Sequence, residues 1–190
     1  MKRSEDRYGL FDTVLGVCAI AWNARGISCV ILPDRTPLLT ENRLRKELPG
    51  ADRAEPPRWI AALARRIASH LAGKAQDFRD VALDMTRTPP FYRRVYERLR
   101  EVRSGSTVTY AELARRAGSP RAARAIGRAM AKNPFAIVVP CHRVLCKSGE
   151  VGGFSALGGS KTKLWLLARE GVGQSGPGSS TTSRLSRNAQ

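Results

Sequence analysis

Two apolar runs open the chain, and a short turn-forming stretch separates them. Residues 11–22 and 27–33 are rich in β-branched, aliphatic and aromatic side chains, whereas residues 23–26 read Asn-Ala-Arg-Gly. Side chains of the first kind favour strands, and a short glycine-containing stretch between two such runs is typical of a tight turn. The pattern therefore predicts a β-hairpin.

The apolar spacing changes from strand-like to helical after the hairpin. The segment 36–48, TPLLTENRLRKEL, begins with a threonine and a proline, which are typical of a helix start. The segment 56–74 carries an apolar stripe at spacings of three and four that ends before Gly73, formed by Ile60, Leu63, Ile67 and Leu71. Residues 78–85, FRDVALDM, are predicted to return to the hairpin as a strand. These elements predict an α+β N-terminal domain in which a small antiparallel sheet packs against helices.

The two prolines of TRTPP, residues 86–90, mark the predicted domain boundary. The pattern beyond them is helical, with an apolar stripe at Phe91, Val95, Leu99 and Val102. We therefore predict a supporting domain over 1–86 and a mostly α-helical domain over 87–171. The remaining segment, 172–190, is rich in Gly and Ser and is predicted to be disordered.

Two short helices in the second domain have the spacing of a helix-turn-helix. The segments TYAELARRAG, with Thr109 as the N-cap, and PRAARAIGRAMAK are joined by Gly-Ser-Pro. Arginines recur along the second helix at spacings of three and four, at Arg121, Arg124 and Arg128. Alanines between them keep this helix slim enough to lie in a DNA groove. Two packed helices with a solvated charged face would show the same pattern.

Net charge strengthens the nucleic-acid interpretation. The 190 residues carry a formal charge of +17, and residues 89–170 hold 16 basic but only five acidic residues. A basic excess concentrated in one half of a chain favours a polyanionic partner. No apolar run is long enough to span a membrane, and the charged N-terminus does not resemble a secretion signal, so we expect a cytoplasmic protein.

Four cysteines occur, at positions 18, 29, 141 and 146, and their spacing fits neither a disulfide framework nor a paired zinc motif. Cys18 and Cys29 could combine with His70 as three metal ligands. Both cysteines, however, lie in apolar surroundings, which favours two buried core thiols. We therefore predict no metal.

The sequence IVVPCHRVLCKSG, residues 137–149, places a thiol beside an imidazole at Cys141 and His142. A cysteine acts as a nucleophile only as a thiolate, and a histidine can accept its proton if a third group orients the ring. Glu170 and Asn133 could supply that group. The dipeptide alone is equally compatible with a buried thiol beside a surface histidine.

Several further motifs occur around this dipeptide in a fixed order. They are TVTYAELA, RAARAIGRAMAKNP, PCHRV, the glycine-rich loop GEVGGFSALGG and LWLLAREG. In this order and spacing they resemble the O6-alkylguanine-DNA alkyltransferase family, also called methylated-DNA–protein-cysteine methyltransferases. The resemblance runs from about Thr88 to Gly171, whereas residues 8–85 match only in their general strand and helix pattern.

The resemblance implies an irreversible DNA repair reaction. In this family an alkylated guanine is flipped out of the duplex, and its O6-alkyl group, or less readily that of O4-alkylthymine, passes to a cysteine that is never regenerated. By this resemblance, Cys141 is the alkyl acceptor. A network of Asn133, His142 and Glu170 would withdraw its proton through water. Tyr110 matches the tyrosine that donates a hydrogen bond to the departing guanine. Arg124 matches the arginine that fills the space of the flipped base.

The resemblance also implies the binding surfaces and the partner. The substrate pocket is expected to contain Met130, Val144, Ser155 and, near its rim, Lys163. The expected DNA-binding residues are Tyr110, Arg121, Ala122, Ala123, Arg124 and Arg128. The partner is double-stranded DNA containing O6-alkylguanine, bound by a monomer, with cooperative binding along DNA left open. We expect no cofactor, no metal and no membrane, and association with the nucleoid if the chain is prokaryotic.

Three other functions are compatible with parts of the sequence. A non-catalytic alkyltransferase-like module would bind lesions without transferring the alkyl group, but the reactive cysteine is replaced in such relatives, commonly by tryptophan. A cysteine hydrolase using Cys141 and His142 would give no reason for the arginine-bearing helices. Transcription regulators of this family carry an additional cysteine-rich N-terminal domain, which we do not find here.

Overall fold

The fold is taken from a computed structural model, which describes residues 5–173 in two units. One unit contains residues 5–88 together with Pro134–Val138, and the other contains Pro89–Asn133 and residues 139–173. The sequence placed the division between residues 86 and 87. The structure divides the chain between Thr88 and Pro89 and returns Pro134–Val138 to the first unit. The tail predicted to be disordered, 172–190, lies outside the described residues from residue 174 onward.

A four-stranded sheet forms the centre of the first unit. Its strands are β1 (Arg7–Thr13), β2 (Gly16–Asn23), β3 (Gly26–Ile31) and β4 (Asp52–Arg53), in the order β3-β2-β1-β4. The hairpin predicted from the apolar runs is formed by β2 and β3, and β1 extends it antiparallel to β2. The prediction of an entirely antiparallel sheet was wrong, because β4 runs parallel to β1. A helix connects β3 to β4, and such a crossover brings the chain back in the same direction.

The turn between β2 and β3 requires glycine. Gly26 has a φ of +133°, and a Cβ at this position would lie 2.4 Å from the carbonyl oxygen of Ala82. The approach is close because the amide of Ile27 donates to that carbonyl, at 2.9 Å. The segment 78–85, which was predicted to be a strand, makes only an isolated parallel bridge, Ile27 to Leu83.

Two helices belong to the first unit, α1 (Pro37–Glu47) and α2 (Arg58–Leu71). Thr36 caps α1 by accepting from the amide of Leu39, at 3.3 Å. The four residues of the stripe predicted on α2 are all buried: Ile60, Leu63, Ile67 and Leu71. This helix ends two residues before Gly73, as its sequence indicated.

One apolar cluster joins the sheet to the end of α1. Its members are Tyr8, Ala19, Ala21, Cys29, Ile31, Leu44 and Leu48. Cys29 is therefore a core residue, and Cys18 is fully buried as well. Burial raises the pKa of both thiols to about 12. Both cysteines thus remain neutral at physiological pH and behave as small apolar side chains.

A buried carboxylate ties the β2–β3 turn to the segment that follows α2. Asp84 accepts from the side-chain amide of Asn23 (Nδ2) at 2.7 Å and from the guanidinium of Arg25 at 3.1 Å. Burial raises the pKa of Asp84, but hydrogen bonds from Thr86, Asn23 and Arg25 outweigh it and bring the pKa from 3.8 to about 2. The ionised carboxylate therefore stabilises the fold at neutral pH.

Replacing this carboxylate should reduce stability in a pH-dependent way. Asp84→Asn should lower the free energy of unfolding at pH 7 by about 2 kcal/mol, since the pKa is depressed by about two units. Because the folded-state pKa lies below the ordinary value, the difference should persist above pH 4 and disappear as the pH falls towards 2. Urea unfolding across this range measures it. Asp12→Asn, at an exposed position in β1, should change stability by less than about 0.5 kcal/mol, and an equal loss in both variants would contradict the assignment.

The second unit is mostly helical. Its helices are α3 (Pro90–Arg100), α4 (Tyr110–Arg116), α5 (Ala123–Ala131) and α6 (Ser160–Arg169), and the short strands β5 (Val108–Thr109) and β6 (Val144–Leu145) pair in parallel. A single 3₁₀ turn covers Cys141–Arg143. No helix among residues 5–173 is long and apolar enough to cross a membrane.

The start of α4 is fixed by its cap. The Thr109 hydroxyl accepts from the amide of Glu112, at 3.1 Å, as the sequence predicted. Helix α5 begins at Ala123, three residues later than the sequence suggested, because residues 119–122 form a turn in which the amide of Ala122 donates to the carbonyl of Ser119. Arg121 consequently precedes the helix instead of lying on it.

Candidate alkyl-acceptor site

The backbone before Cys141 contains two three-residue turns. The amide of Val138 donates to the carbonyl of Ala136 at 2.9 Å, and the amide of Cys141 donates to that of Val139 at 2.8 Å. The first turn places Ile137 at a φ of +70°, a conformation that costs a non-glycine residue about 1–2 kcal/mol. The side chain of Asn133 donates to the same Val139 carbonyl, at 2.8 Å. The chain that leads into Cys141 is therefore tightly constrained.

The Cys141 thiol is buried in a polar environment. Burial raises its pKa, and three kinds of interaction partly offset this effect: a hydrogen bond from the Asn133 side chain, the charge of Lys163, and the backbone amides of Cys141 and His142. The groups that favour the thiolate are thus in place around a thiol that is protonated at rest. A proton acceptor is needed when the thiol reacts.

Behind the thiol, one carboxylate holds the side chains of the next two residues. The Nε2 atom of His142 lies 2.8 Å from Oε1 of Glu170. Arg143 donates two hydrogen bonds to the same carboxylate, from Nε to Oε2 at 2.9 Å and from Nη2 to Oε1 at 2.8 Å. Its Nη1 donates to the carbonyl of Val102. The side chains of all three residues are at most 6% exposed. This arrangement fixes the imidazole ring, as the orientation of a catalytic base requires.

Removing the carboxylate charge should destabilise the second unit strongly. Glu170→Gln should lower the free energy of unfolding by about 3–5 kcal/mol, because it leaves the buried Arg143 guanidinium without a counter-charge. Chemical denaturation monitored by circular dichroism measures the loss. The matched control is Glu112→Gln, which breaks a partly exposed helical pair with Arg116 and should cost less than about 0.5 kcal/mol. Similar losses in the two variants would show that the Glu170 pair contributes no more than a surface pair.

Cys141 opens onto a cavity of about 410 Å³. The lining residues come from α4, α5, the 3₁₀ turn and the loop between β6 and α6: Tyr110, Gly127, Met130, Ala131, Cys141, Gly153, Phe154 and Ser155. Its volume falls in the range of about 300–1,000 Å³ that is typical of small-molecule sites. Burial, together with the neighbouring thiols of Cys146 and Cys141, raises the pKa of Tyr110. The phenol therefore keeps its proton and can donate it in a hydrogen bond.

Two residues that the sequence assigned to the pocket or its rim, Lys163 and Val144, are not among the described residues that line the cavity. Lys163, expected at the rim, is only 1% exposed. Its ammonium donates to the carbonyl of Val144 at 2.6 Å and lies 6.0 Å from the ring centroid of Tyr110. A buried lysine is tolerated there because the carbonyl and the aromatic face replace water. Val144 itself is fully buried in β6 and is not among the described residues that line the cavity.

The arginines predicted to contact DNA are exposed, whereas the opposite side of α5 is buried. Arg121, Arg124 and Arg128 are all solvent-accessible, and Ile126 and Ala129 are completely buried. Ala122 and Ala123, also predicted to contact DNA, are half-buried at the start of the helix. The start of α5 therefore offers cations and small side chains to a partner.

Sequence reasoning missed Arg143 and the cavity residues Gly127 and Ala131. Arg143 follows the Cys-His pair directly, but only the folded chain brings it to Glu170, 27 residues away. Gly127 did leave a signal, because a glycine in an otherwise helical pattern usually has a packing or functional reason. The glycine-rich loop was noted only as a motif, and the structure identifies Gly153 of this loop as a cavity-lining residue.

Comparisons with known proteins indicate the family of the chain. The family model for the DNA-binding domain of 6-O-methylguanine DNA methyltransferase matches residues 90–172. A methylated-DNA–protein-cysteine methyltransferase of Mycolicibacterium paratuberculosis is 40% identical over 147 residues, covering 76% of this chain and 87% of the relative. A DNA base-flipping protein of Thermus thermophilus is 42% identical over 134 residues, covering 65% and 88%.

A solved structure shows the same fold. The crystal structure of Mycobacterium tuberculosis OGT in complex with DNA superimposes with a TM-score of 0.68 at 30% identity. The match covers 87% of this chain and 93% of that one. Sequence and fold thus agree over most of the chain, and the chain belongs to the methylated-DNA–protein-cysteine methyltransferase family.

Proposed function

We propose that this protein repairs DNA by transferring the alkyl group of O6-alkylguanine, and less readily that of O4-alkylthymine, to its own Cys141, once per chain. The observation that carries the proposal is the position of Cys141. Its thiol opens onto the cavity lined by Tyr110 and Met130, and the residue that follows it is His142, which is hydrogen-bonded to Glu170. A nucleophile, an oriented base and a substrate-sized cavity are thus adjacent.

The transfer is a displacement at an sp³ carbon. The thiol loses its proton through water to His142, and the sulfur forms a bond to the alkyl carbon as the bond from that carbon to O6 breaks. The electron pair of the broken bond remains on the guanine, which takes up a proton from water at a ring nitrogen, and the imidazolium of His142 returns its proton to water. Tyr110 stabilises this leaving group by hydrogen bonding. The product is a stable thioether, so the protein is consumed by the reaction.

His142 is oriented for this role by the carboxylate behind it. With Nε2–H donating to Glu170, the lone pair of the ring lies on Nδ1, which can accept a proton. The bidentate pair with Arg143 holds the Glu170 carboxylate in place, and this carboxylate stabilises the imidazolium that forms. Asn133 assists by donating to the developing thiolate. No step requires a metal or an organic cofactor.

The substrate base must leave the duplex before it can enter the cavity. We propose that α4 and α5 form a DNA-binding helix-turn-helix, with Arg124 inserted into the base stack in place of the flipped nucleotide. Small residues at positions 122 and 123 would allow the backbone to approach DNA, and the exposed side chains of Arg121 and Arg128 are proposed to contact phosphates. The relative from T. thermophilus, named as a DNA base-flipping protein, supports this part of the proposal. The protein is expected to act as a monomer in the cytoplasm, at the nucleoid if it is prokaryotic.

The same relative makes a non-catalytic lesion-binding module the second candidate. Such a module would flip and bind the alkylated base without reacting. Cys141 and the His142–Glu170 pair favour the catalytic function, because binding alone has no need of a buried thiol beside an oriented base.

Transfer of a radiolabelled methyl group distinguishes the two candidates. Duplex DNA carrying labelled O6-methylguanine should transfer its label to the acid-precipitated protein until one methyl group is bound per chain. Excess DNA should give no further transfer. Tight binding of the lesion without labelled protein would leave only the binding module.

A further inference from the structure

The carbonyl of Ala129, near the end of α5, is paired by a side chain from another helix. The last carbonyls of a helix have no later amide of that helix to accept from. The hydroxyl of Tyr96, on α3, donates to the Ala129 carbonyl at 2.8 Å. Both residues are completely buried, and a buried carbonyl left without a hydrogen bond would destabilise the fold. This bond therefore fixes the last turn of α5 against α3.

The sequence explains why this carbonyl needs a partner. An α-helical continuation would bring the amide of Asn133 to the carbonyl of Ala129, four residues back. The next residue is Pro134, which has no amide to donate to the Met130 carbonyl and disfavours a helical conformation at Asn133. The amide of Asn133 donates to Met130 instead, at 3.2 Å. Ala129 thus loses its backbone donor, and the hydroxyl of Tyr96 takes that place.

Asn133 lies directly after this turn and contacts the acceptor cysteine. Its side-chain amide donates to the carbonyl of Val139 at 2.8 Å and to the thiol of Cys141. The amide group has two hydrogens and can make both bonds at once. Because the asparagine side chain is short, both bonds depend on where α5 places the backbone of Asn133. A shift of this turn would move the amide away from the sulfur.

We propose that Tyr96 is a positioning residue, which holds the last turn of α5 so that the side chain of Asn133 favours the reactive thiolate of Cys141. This inference deepens the proposed function of Cys141 and rests on it. Burial raises the pKa of Cys141, and the hydrogen bond from Asn133 lowers it. Burial, the thiol of Cys141 and the phenol of Tyr92 raise the pKa of Tyr96, so its hydroxyl stays neutral. Tyr96 therefore acts through the position of Asn133 and not through a charge.

The pH dependence of Cys141 alkylation by iodoacetamide tests this role without DNA. Only the thiolate reacts, so the rate follows the ionised fraction of the thiol. Tyr96→Phe removes the hydroxyl and keeps the ring. Its alkylation rate at pH 7 should fall roughly three- to tenfold, and its profile should move to higher pH, because the hydrogen bond from Asn133 to the thiolate is weakened. Mass spectrometry of the tryptic peptide 133–143, which contains no other cysteine, measures the rate.

Two further variants distinguish positioning from a general loss of packing. Asn133→Ala should slow alkylation at least as much as Tyr96→Phe, and the double variant should be no slower than Asn133→Ala, because the amide through which Tyr96 acts is then absent. Tyr92→Phe is the matched control. It removes a hydroxyl from a half-buried position on α3, where the ring centroid lies 6.2 Å from that of Tyr96, and it should leave the profile unchanged. Every variant retains the other titratable groups around the thiol, which are Tyr110, His142 and Lys163.

Methyl transfer from saturating duplex O6-methylguanine DNA should fall in Tyr96→Phe by the same factor as alkylation. Losses that multiply in the double variant would overturn the positioning role, as would a Tyr96→Phe protein that melts at a lower temperature but is alkylated at the wild-type rate. If the iodoacetamide profiles behave as described but the wild type transfers no methyl group, the proposed function fails, whereas the effect of Tyr96 on the thiol stands.

Discussion

Cys141→Ser should abolish alkyl transfer to the protein while leaving the fold and the binding of lesion-containing DNA intact. A serine hydroxyl is not ionised near neutral pH, and it is a far weaker nucleophile than a thiolate towards an sp³ carbon. The substitution exchanges sulfur for a smaller oxygen at a position already surrounded by hydrogen-bond donors, so the packing around it changes little. Transfer from duplex O6-methylguanine, measured under single-turnover conditions, should fall to the background of the assay.

Cys146→Ser is the matched control for this prediction. Cys146 is a partly buried free thiol five residues further along the chain, and its sulfur lies near the ring of Tyr110. It does not line the cavity among the described residues, so transfer should persist when it is replaced. Loss of transfer in Cys146→Ser with retention in Cys141→Ser would show that Cys146, and not Cys141, is the acceptor.

Arg124→Ala should slow transfer from duplex DNA by roughly 30- to 150-fold, because a group that replaces a flipped base offsets a few kcal/mol of unstacking. Arg124 is exposed near the start of α5, so its replacement by alanine should not disturb the packing of buried side chains. The variant should react almost normally with the free base O6-benzylguanine, if that base is a substrate, or otherwise with a single-stranded methylated oligonucleotide. Stopped reactions analysed by mass spectrometry give both rates.

Arg128→Ala is the control that distinguishes loss of base flipping from loss of a positive charge that binds DNA. This arginine is also exposed on α5, but we assign it to a phosphate contact. Its replacement should weaken duplex binding and reduce the slope of log K, the binding constant, against log salt by about one unit. The rate of transfer should be unchanged once DNA is saturating.

Equal slowing of the duplex and free-base reactions by Arg124→Ala would contradict the base-flipping role of Arg124.

The elements that the sequence predicted best are those with strong periodic patterns. The stripe on α2 and the hairpin of β2 and β3 followed from apolar spacing and turn residues, and both are present. Strand β4 could not be predicted, because it consists of only two residues, Asp52 and Arg53, which are both charged. Its pairing with β1 depends on the tertiary structure, because the chain that leaves α1 must reach the edge of the sheet beside β1.

The reacting groups were predictable by motif, whereas the groups that hold them were not. Cys141, His142 and Glu170 were assigned from the resemblance, and the structure brings the last two into hydrogen-bond contact. Arg143 was missed because a long cationic side chain is normally expected at the surface, and only the position of Glu170 explains its burial. The burial of Lys163 was likewise not predicted, because it depends on the Val144 carbonyl that accepts from its ammonium.

The central claim is that Cys141 itself accepts the alkyl group, and peptide mass spectrometry tests it most directly. Trypsin cleaves after Lys132, Arg143 and Lys147, so Cys141 and Cys146 fall on separate peptides. After incubation with excess duplex O6-methylguanine DNA, the peptide Asn133–Arg143 should gain the mass of one methyl group, located by fragmentation on Cys141, and no other peptide should change. An unmodified Asn133–Arg143 peptide, or a methyl group found on Cys146, would contradict the account.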